Sequence, residues 1–241
     1  MALLRWLRRL VLWVVGLFLL TSVGAVVAYR WLPVPLTPLM VLRLIEQGRD
    51  GRELTLQHQW IALEEMPADL PLAVWACEDQ NFFLHHGFDF KAIGEAIDEA
   101  EHGRRQRGAS TISQQTAKNV FLWPQSSWLR KGFEVYFTLL IELIWDKHRI
   151  MEVYLNSIEM GDGIYGAEAV AQAHFGRPAG QLTREQCALI AISLPNPLKM
   201  NSSQPSPYML KRQAWALRQM RFLGKFPSPE EVGTTTADEE H

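Results

Sequence analysis

The sequence predicts a mostly α-helical protein preceded by one N-terminal membrane-spanning helix. Three observations predict it. An uncharged apolar run opens the chain, apolar residues after it recur at helical spacing, and capping residues punctuate that pattern at short intervals. The 241 residues suffice for one catalytic-sized domain with a substantial core. Lys and Arg number 24 against 26 Asp and Glu, a net charge of −2, which excludes a broad basic surface for nucleic acid. The two cysteines, Cys77 and Cys187, have neither CxxC nor Cys/His zinc spacing. They read as buried small apolar residues, with a single bridge between them left open.

From Leu10 to Ala28 the chain reads LVLWVVGLFLLTSVGAVVA, about 19 residues without a charge. Arg5, Arg8 and Arg9 precede the run, and Trp6, Trp13, Tyr29 and Trp31 sit near its ends. This predicts an uncleaved anchor over 10–31, a cytoplasmic stub over 1–9, and the remainder outside the cytoplasm. A cleaved signal peptide has a shorter apolar core, and here the run continues past the small residues at 22–26.

Residues 32–69 read as a linker and membrane-proximal segment. Pro33, Pro35 and Pro38 stiffen it, and Thr37–Pro38 caps a short helix that Gly48 can stop. That helix either packs in the domain or lies on the membrane surface. Residues 53–61 alternate weakly, as a strand does. The main domain is expected over 70–225. Its helices are 71–84, one capped by Asp89, 111–122, 127–145, Asp146 to Asn156, 165–175, 184–193 with a Thr183/Gln186 capping box, and 206–223. Gly161, Gly163 and Gly166 mark a turn region. A tail at 226–241, polar from Gly233, is expected to be disordered.

Chemistry concentrates in a few stretches. In EDQNFFLHHG (78–87), Glu78 lies beside apolar Val74, Trp75, Ala76 and Cys77, where partial desolvation raises a carboxyl pKa toward general-base values. GASTISQQTAKN (108–119) puts hydroxyls, amides and Lys118 at a helix start, a natural anion site, but lacks the P-loop pattern. Arg130 and Glu134, four apart, share a helix face with Glu142 further along it. RIMEVYLN (149–156) alone reads as an amphipathic helix. No HExxH metal spacing is present. Taken singly, each stretch also fits an ordinary capped helix or a surface ion pair.

Taken in order, these stretches, with HFG (174–176) and LTREQCALIAISLPNP (182–197), resemble the five motifs of the peptidoglycan glycosyltransferases. These are the glycosyltransferase domains of class A penicillin-binding proteins and their monofunctional relatives. The resemblance covers about residues 70–200. It looks closest to the monofunctional biosynthetic subgroup, since no SxxK or KTG transpeptidase signature appears.

The resemblance implies a lysozyme-like α-rich lobe with a small membrane-proximal lobe. It implies an inverting enzyme of the inner membrane that polymerises lipid II into β-1,4-linked glycan and releases undecaprenyl pyrophosphate. Glu78 matches the catalytic base, and Glu134 matches the second essential glutamate. Lys118, Arg130 and Lys131 match the pyrophosphate-binding cations. Ser110, Thr111, Gln114, Gln115 and Asn119 match the polar residues of the second motif's pocket. The implied partners are lipid II, the lipid-linked glycan chain, the membrane, and cell-wall synthesis or division proteins. No cofactor is required, and a divalent metal could assist the pyrophosphate. Ser126 departs from the family pattern, where an arginine is common, and so removes one phosphate contact. Arg104, Arg105 and Arg107 form a basic loop that reads as solvated or as facing phosphate. Two other readings remain, a muramidase acting on finished glycan and a membrane-anchored scaffold.

Overall fold

The computed structural model describes residues 2–102 and 108–232. Arg104, Arg105, Arg107 and the polar tail from Gly233 lie outside the described residues. The chain is mostly α-helical, with one N-terminal apolar helix long enough to cross a membrane.

That helix, α1 (Ala2–Ala28), takes in Arg5, Arg8 and Arg9, so helical structure begins ahead of the apolar run. Its first turns are exposed, whereas its C-terminal half docks on the domain. Phe18 packs on Phe133 and Tyr136 with ring centroids 5.5 Å apart. Ser22 Oγ lies 2.8 Å from the Tyr136 hydroxyl, and Trp145 Nε1 donates to the Val26 carbonyl at 2.7 Å. Arg149 donates to the carbonyls of Tyr29 (3.0 Å) and Leu32 (2.6 Å), supplying donors where a helix end lacks them.

α2 (Pro38–Arg49) starts at the expected cap, Thr37, but runs through Gly48 and gives way at Asp50 and Gly51, where φ is +65°. One face of it packs in the domain, with Met40 buried, while Val41 and Ile45 on the helix stay exposed. The weakly alternating segment yields only β1 (Gln57–His58). The glycine-marked turn holds β2 (Glu159–Gly161) and β3 (Ile164–Tyr165), giving a small sheet of order β1-β3-β2. β1 pairs parallel to β3, and β2 pairs antiparallel to it.

α3 (Asp69–Glu78) is shorter than expected. The backbone turns at Asp79 (φ −159°), whose side chain bonds elsewhere, so residues 79–87 form turns instead of more helix. α4 (Phe90–Glu101), α5 (Ile112–Phe121), α6 (Trp128–Ile144) and α7 (Lys147–Ser157) follow. Asp89, Ser127 and Asp146 cap α4, α6 and α7 as their sequences predict, and α5 starts one residue later than read, capped by Thr111. α8 (Ala167–Phe175) ends at left-handed Gly176. α9 (Arg184–Ser193) and α10 (Pro207–Leu223) complete the helices.

α5 is the buried axis. It packs against α6 on one side and α7 on another, and Phe121 stacks on Phe137 at 4.5 Å. α3, α9 and α10 form a second packed group. Ile112, Ile150 and Met151 are fully buried, each contributing about 2 kcal/mol of transfer free energy. Cys77 on α3 and Cys187 on α9 are both free thiols, and burial pushes each up to about 12. Phe226, at the start of the segment read as tail, packs against Trp75, Phe83 and His148.

Asn156, at the end of α7, joins the sheet to this core. Its amide accepts from the Ile61 backbone N–H at 3.0 Å and donates to the Ile61 carbonyl at 2.9 Å. The chain then passes Gly166 with φ +83° and ψ 169°, where an added Cβ would stand 2.7 Å from the Asn156 carbonyl oxygen. Gly166→Ala is expected to cost about 3 kcal/mol or more, from backbone strain plus this collision. Thermal unfolding in detergent measures it, and an unchanged midpoint would contradict this account of the turn.

Candidate active site

Glu78 is the last residue of α3, where the helix emerges from its packed group. Its carboxylate accepts from Gln115 Nε2 at 3.0 Å. Burial holds its pKa above the ordinary glutamate range. Asp79 adds to the rise, while the Gln115 bond, Lys118 and Arg212 oppose it. A cleft of about 230 Å³ opens beside it, lined in part by Asp79, Asn81, Asp89 and the Gly108–Thr111 segment. Ser110 thus faces this cleft from an exposed position.

Asp79, read from sequence only as half of a carboxylate pair, has a distinct task. Its buried carboxylate accepts from the Ile112 backbone N–H at 3.0 Å, at the first turn of α5. It also accepts from His85 Nε2 at 3.0 Å. His85 Nδ1 accepts from the Gly87 N–H at 3.1 Å, which puts the ring proton on Nε2. Asp79 therefore ties the end of α3, the 79–87 turns and the start of α5 together.

Thr111 and Gln114 are occupied with the helix cap. Thr111 Oγ1 accepts from the Gln114 N–H, Gln114 Oε1 accepts from the Thr111 N–H at 3.0 Å, and the Thr111 hydroxyl donates to the Gly87 carbonyl at 2.7 Å. Gln115, one position on, faces the site. Its Oε1 accepts from the hydroxyl of fully buried Tyr154 at 3.1 Å.

One turn further along α5, Lys118 stands between Glu78 and the start of α6. Burial lowers its pKa, Glu134 and Glu78 raise it, and Arg130 and Lys131 push it down. Lys118 makes no ion pair with the described residues. With Asn119, Leu39, Arg43, Leu122, Pro124 and Glu159 it lines a second cavity of about 200 Å³.

On α6, Arg130 Nη1 and Lys131 Nζ both donate to the Glu134 carboxylate, the first at 2.7 Å. Arg130 and Glu134 are both buried, so the pair that sequence spacing also allowed as a surface bridge is an interior one. Glu142 is drawn away from this cluster. It accepts from Ser113 and from Lys147 Nζ at 2.8 Å, and Lys147 also donates to the His85 carbonyl at 2.7 Å. Asn119 Nδ2 and Arg130 Nε are buried donors with no hydrogen-bond acceptor among the described residues. Ser126 is exposed on the segment before α6. No group of three or more His, Cys, Asp or Glu with metal-binding geometry occurs among the described residues.

The structure thus brings together one raised-pKa carboxyl, one desolvated lysine and a cation–carboxylate cluster, on three neighbouring elements. Such an arrangement can take a proton at one end and stabilise developing negative charge at the other. A family model described as transglycosylase matches residues 47–221. The chain belongs to the transglycosylase family.

It is 54% identical over 98% of its length to a biosynthetic peptidoglycan transglycosylase of Bacteroides thetaiotaomicron, of which the match covers 93%. It is 51% identical over 90% of its length to that of Stutzerimonas stutzeri, covering 88% of that protein. It is 49% identical over 92% of its length to that of Pseudomonas aeruginosa, covering 94% of that protein. Within this transglycosylase, sequence reasoning passed over the tasks of Asp79, Tyr154 and Arg212. Tyr154 had a signal, its place in RIMEVYLN. Arg212 on α10 had none, because only folding brings it within electrostatic reach of Glu78.

Removing the Asp79 carboxylate would leave the Ile112 N–H and the His85 Nε2–H without their acceptor. Asp79→Ala is expected to destabilise the transglycosylase by about 2–4 kcal/mol. Denaturant unfolding of the detergent-solubilised protein checks this, and a loss under about half a kcal/mol would remove Asp79 from this role.

Proposed function

We propose that the protein polymerises lipid II into β-1,4-linked glycan and releases undecaprenyl pyrophosphate. One observation carries the reading: the Glu78 carboxylate, raised in pKa by burial, is held by Gln115 of α5 at 3.0 Å, and half-buried Lys118 follows one turn on along the same helix, where it makes no ion pair with the described residues. Glu78 takes the proton of the acceptor sugar's 4-hydroxyl as that oxygen attacks C1 of the donor sugar. The C1–O bond to pyrophosphate breaks, and the electron pair leaves with the phosphate. Attack opposite the leaving group inverts C1. Lys118, Arg130 and Lys131 stabilise the charge that develops there, with the Asn119 amide as a neutral donor.

No second acid is needed, because a pyrophosphate leaves without protonation once its charge is met. This differs from glycoside hydrolysis, which protonates a poor sugar leaving group. Glu134 holds Arg130 and Lys131 in place without cancelling both charges. Ser110 borders the cleft at Glu78 and Gln115 holds the Glu78 carboxylate, whereas Thr111 and Gln114 act by shaping the first turn of α5. The mostly helical arrangement fits a lysozyme-like lobe, with α2 in the membrane-proximal part.

Membrane placement follows from charge and packing. Arg5, Arg8 and Arg9 favour a cytoplasmic N-terminus, leaving the domain extracytoplasmic. Docking of α1 on α6 ties the domain to the anchor, and the exposed Trp128, Leu129, Leu139 and Leu143 on α6 support a site close to the bilayer. Enzyme and lipid-linked substrate then share one surface, which raises their effective concentration.

The test is polymerisation of purified lipid II by Glu78→Gln in detergent. The variant is expected to keep the fold and lose at least about 100-fold in rate, the scale of a positioned general base. Wild-type polymerisation by it would remove Glu78 as the base. Release of muropeptides from sacculi by the native protein would favour the muramidase reading instead.

A further inference from the structure

We infer that Tyr154 is a positioning residue for the transfer step, orienting the Gln115 amide so that its N–H group holds the Glu78 carboxylate. The inference rests on the proposed role of Glu78. The geometry is a three-member chain across three helices. The Tyr154 hydroxyl of α7 donates to Gln115 Oε1 of α5 at 3.1 Å, and Gln115 Nε2 donates to Glu78 Oε2 of α3 at 3.0 Å.

An amide can present either its oxygen or its nitrogen to a carboxylate, and only the nitrogen attracts. A phenol that donates to the amide oxygen fixes the choice, since the amide can then offer only N–H to Glu78. Tyr154 keeps its proton for this task. It is fully buried, and burial together with the nearby charges of Glu78 and Asp79 holds its pKa well above the usual phenol value. The phenol makes no other hydrogen bond among the described residues.

Other groups also act on Glu78. Asp79 follows it on the chain, Lys118 faces it from α5 and Arg212 from α10, while the Cys77 thiol is kept protonated by burial. None of these charges is altered by Tyr154→Phe, which removes one oxygen and leaves the ring in its packing. The variant frees the Gln115 amide to rotate, weakening the bond that favours the Glu78 carboxylate. The base then protonates at higher pH, so the acidic limb of the rate profile moves upward.

The experiment is the pH dependence of kcat and kcat/KM for lipid II polymerisation by the full-length protein in detergent. Native protein, Tyr154→Phe, Gln115→Leu and the double variant are compared. Tyr154→Phe is expected to lower kcat about 3- to 10-fold at neutral pH with little change in KM, the size of one lost hydrogen bond. Its acidic limb should rise by about half a pH unit or more. Gln115→Leu breaks the chain from the other side and should shift the limb at least as far. In its presence Tyr154→Phe should add no further shift. A Tyr154→Phe limb superimposable on the native one, or limb shifts that add in the double variant, would overturn the positioning role. These results would leave the Glu78 assignment standing if Glu78→Gln is inactive, whereas an active Glu78→Gln overturns both.

Discussion

The Asp79 carboxylate receives one N–H from the first turn of α5 and another from the His85 ring, and the site is arranged around that junction. Both donors lie far from Asp79 along the chain or across a turn, and the carboxylate is buried among them. A buried charge without partners is costly, so this geometry tolerates little displacement. It ends α3 at Glu78, turns the chain back at Gly87 and fixes where α5 begins. Once α5 is placed, Gln115 and Lys118 fall on the face that meets Glu78, and Asn119 follows beside them.

The remaining charges sort by whether folding gives them a partner. Glu142 and Lys147 pair with each other, Lys147 also bonds the His85 carbonyl in the 79–87 turns and Glu142 accepts from Ser113, so they brace the region. Glu134 is shared between Arg130 and Lys131, which leaves the cluster with surplus positive charge. Among the described residues Lys118 has no such partner, and it is desolvated enough to make its charge expensive. An ammonium left in that state gains most from an anion brought to it. The sequence's near-neutral total hides this local excess, since a few cations vanish in an average over 241 residues.

Much of this was legible in the residues. Thr37, Asp89, Ser127, Asp146, Thr183 and Ser206 each cap a helix as read, because capping is local chemistry. Local patterns failed where distant partners decide. The helix read as 71–84 stops at Glu78 because Asp79 bonds to a residue 33 positions away. Gly48 looked like a helix stop, but the Gln47 side chain bonds the Thr55 backbone and the helix continues to Arg49. The strand pair at 159–165 lies in a stretch that reads as turns, since its strands are only three and two residues long and β3 finds its other partner in β1 of the membrane-proximal segment. The candidate base, the lysine and the α6 cluster were all named from sequence. Their order of contact was not, because the Tyr154–Gln115–Glu78 chain joins three helices.

The account turns on Glu78 being held by its surroundings as a carboxyl that stays partly protonated where a solvated glutamate would not. The direct measurement is a 13C carboxyl NMR titration of glutamate-labelled protein in detergent, with the Glu78 signal assigned by its loss in Glu78→Gln. The account predicts one glutamate titrating clearly above 4.5 and absent from that variant. A Glu78 signal that titrates at or below 4.5 would contradict it.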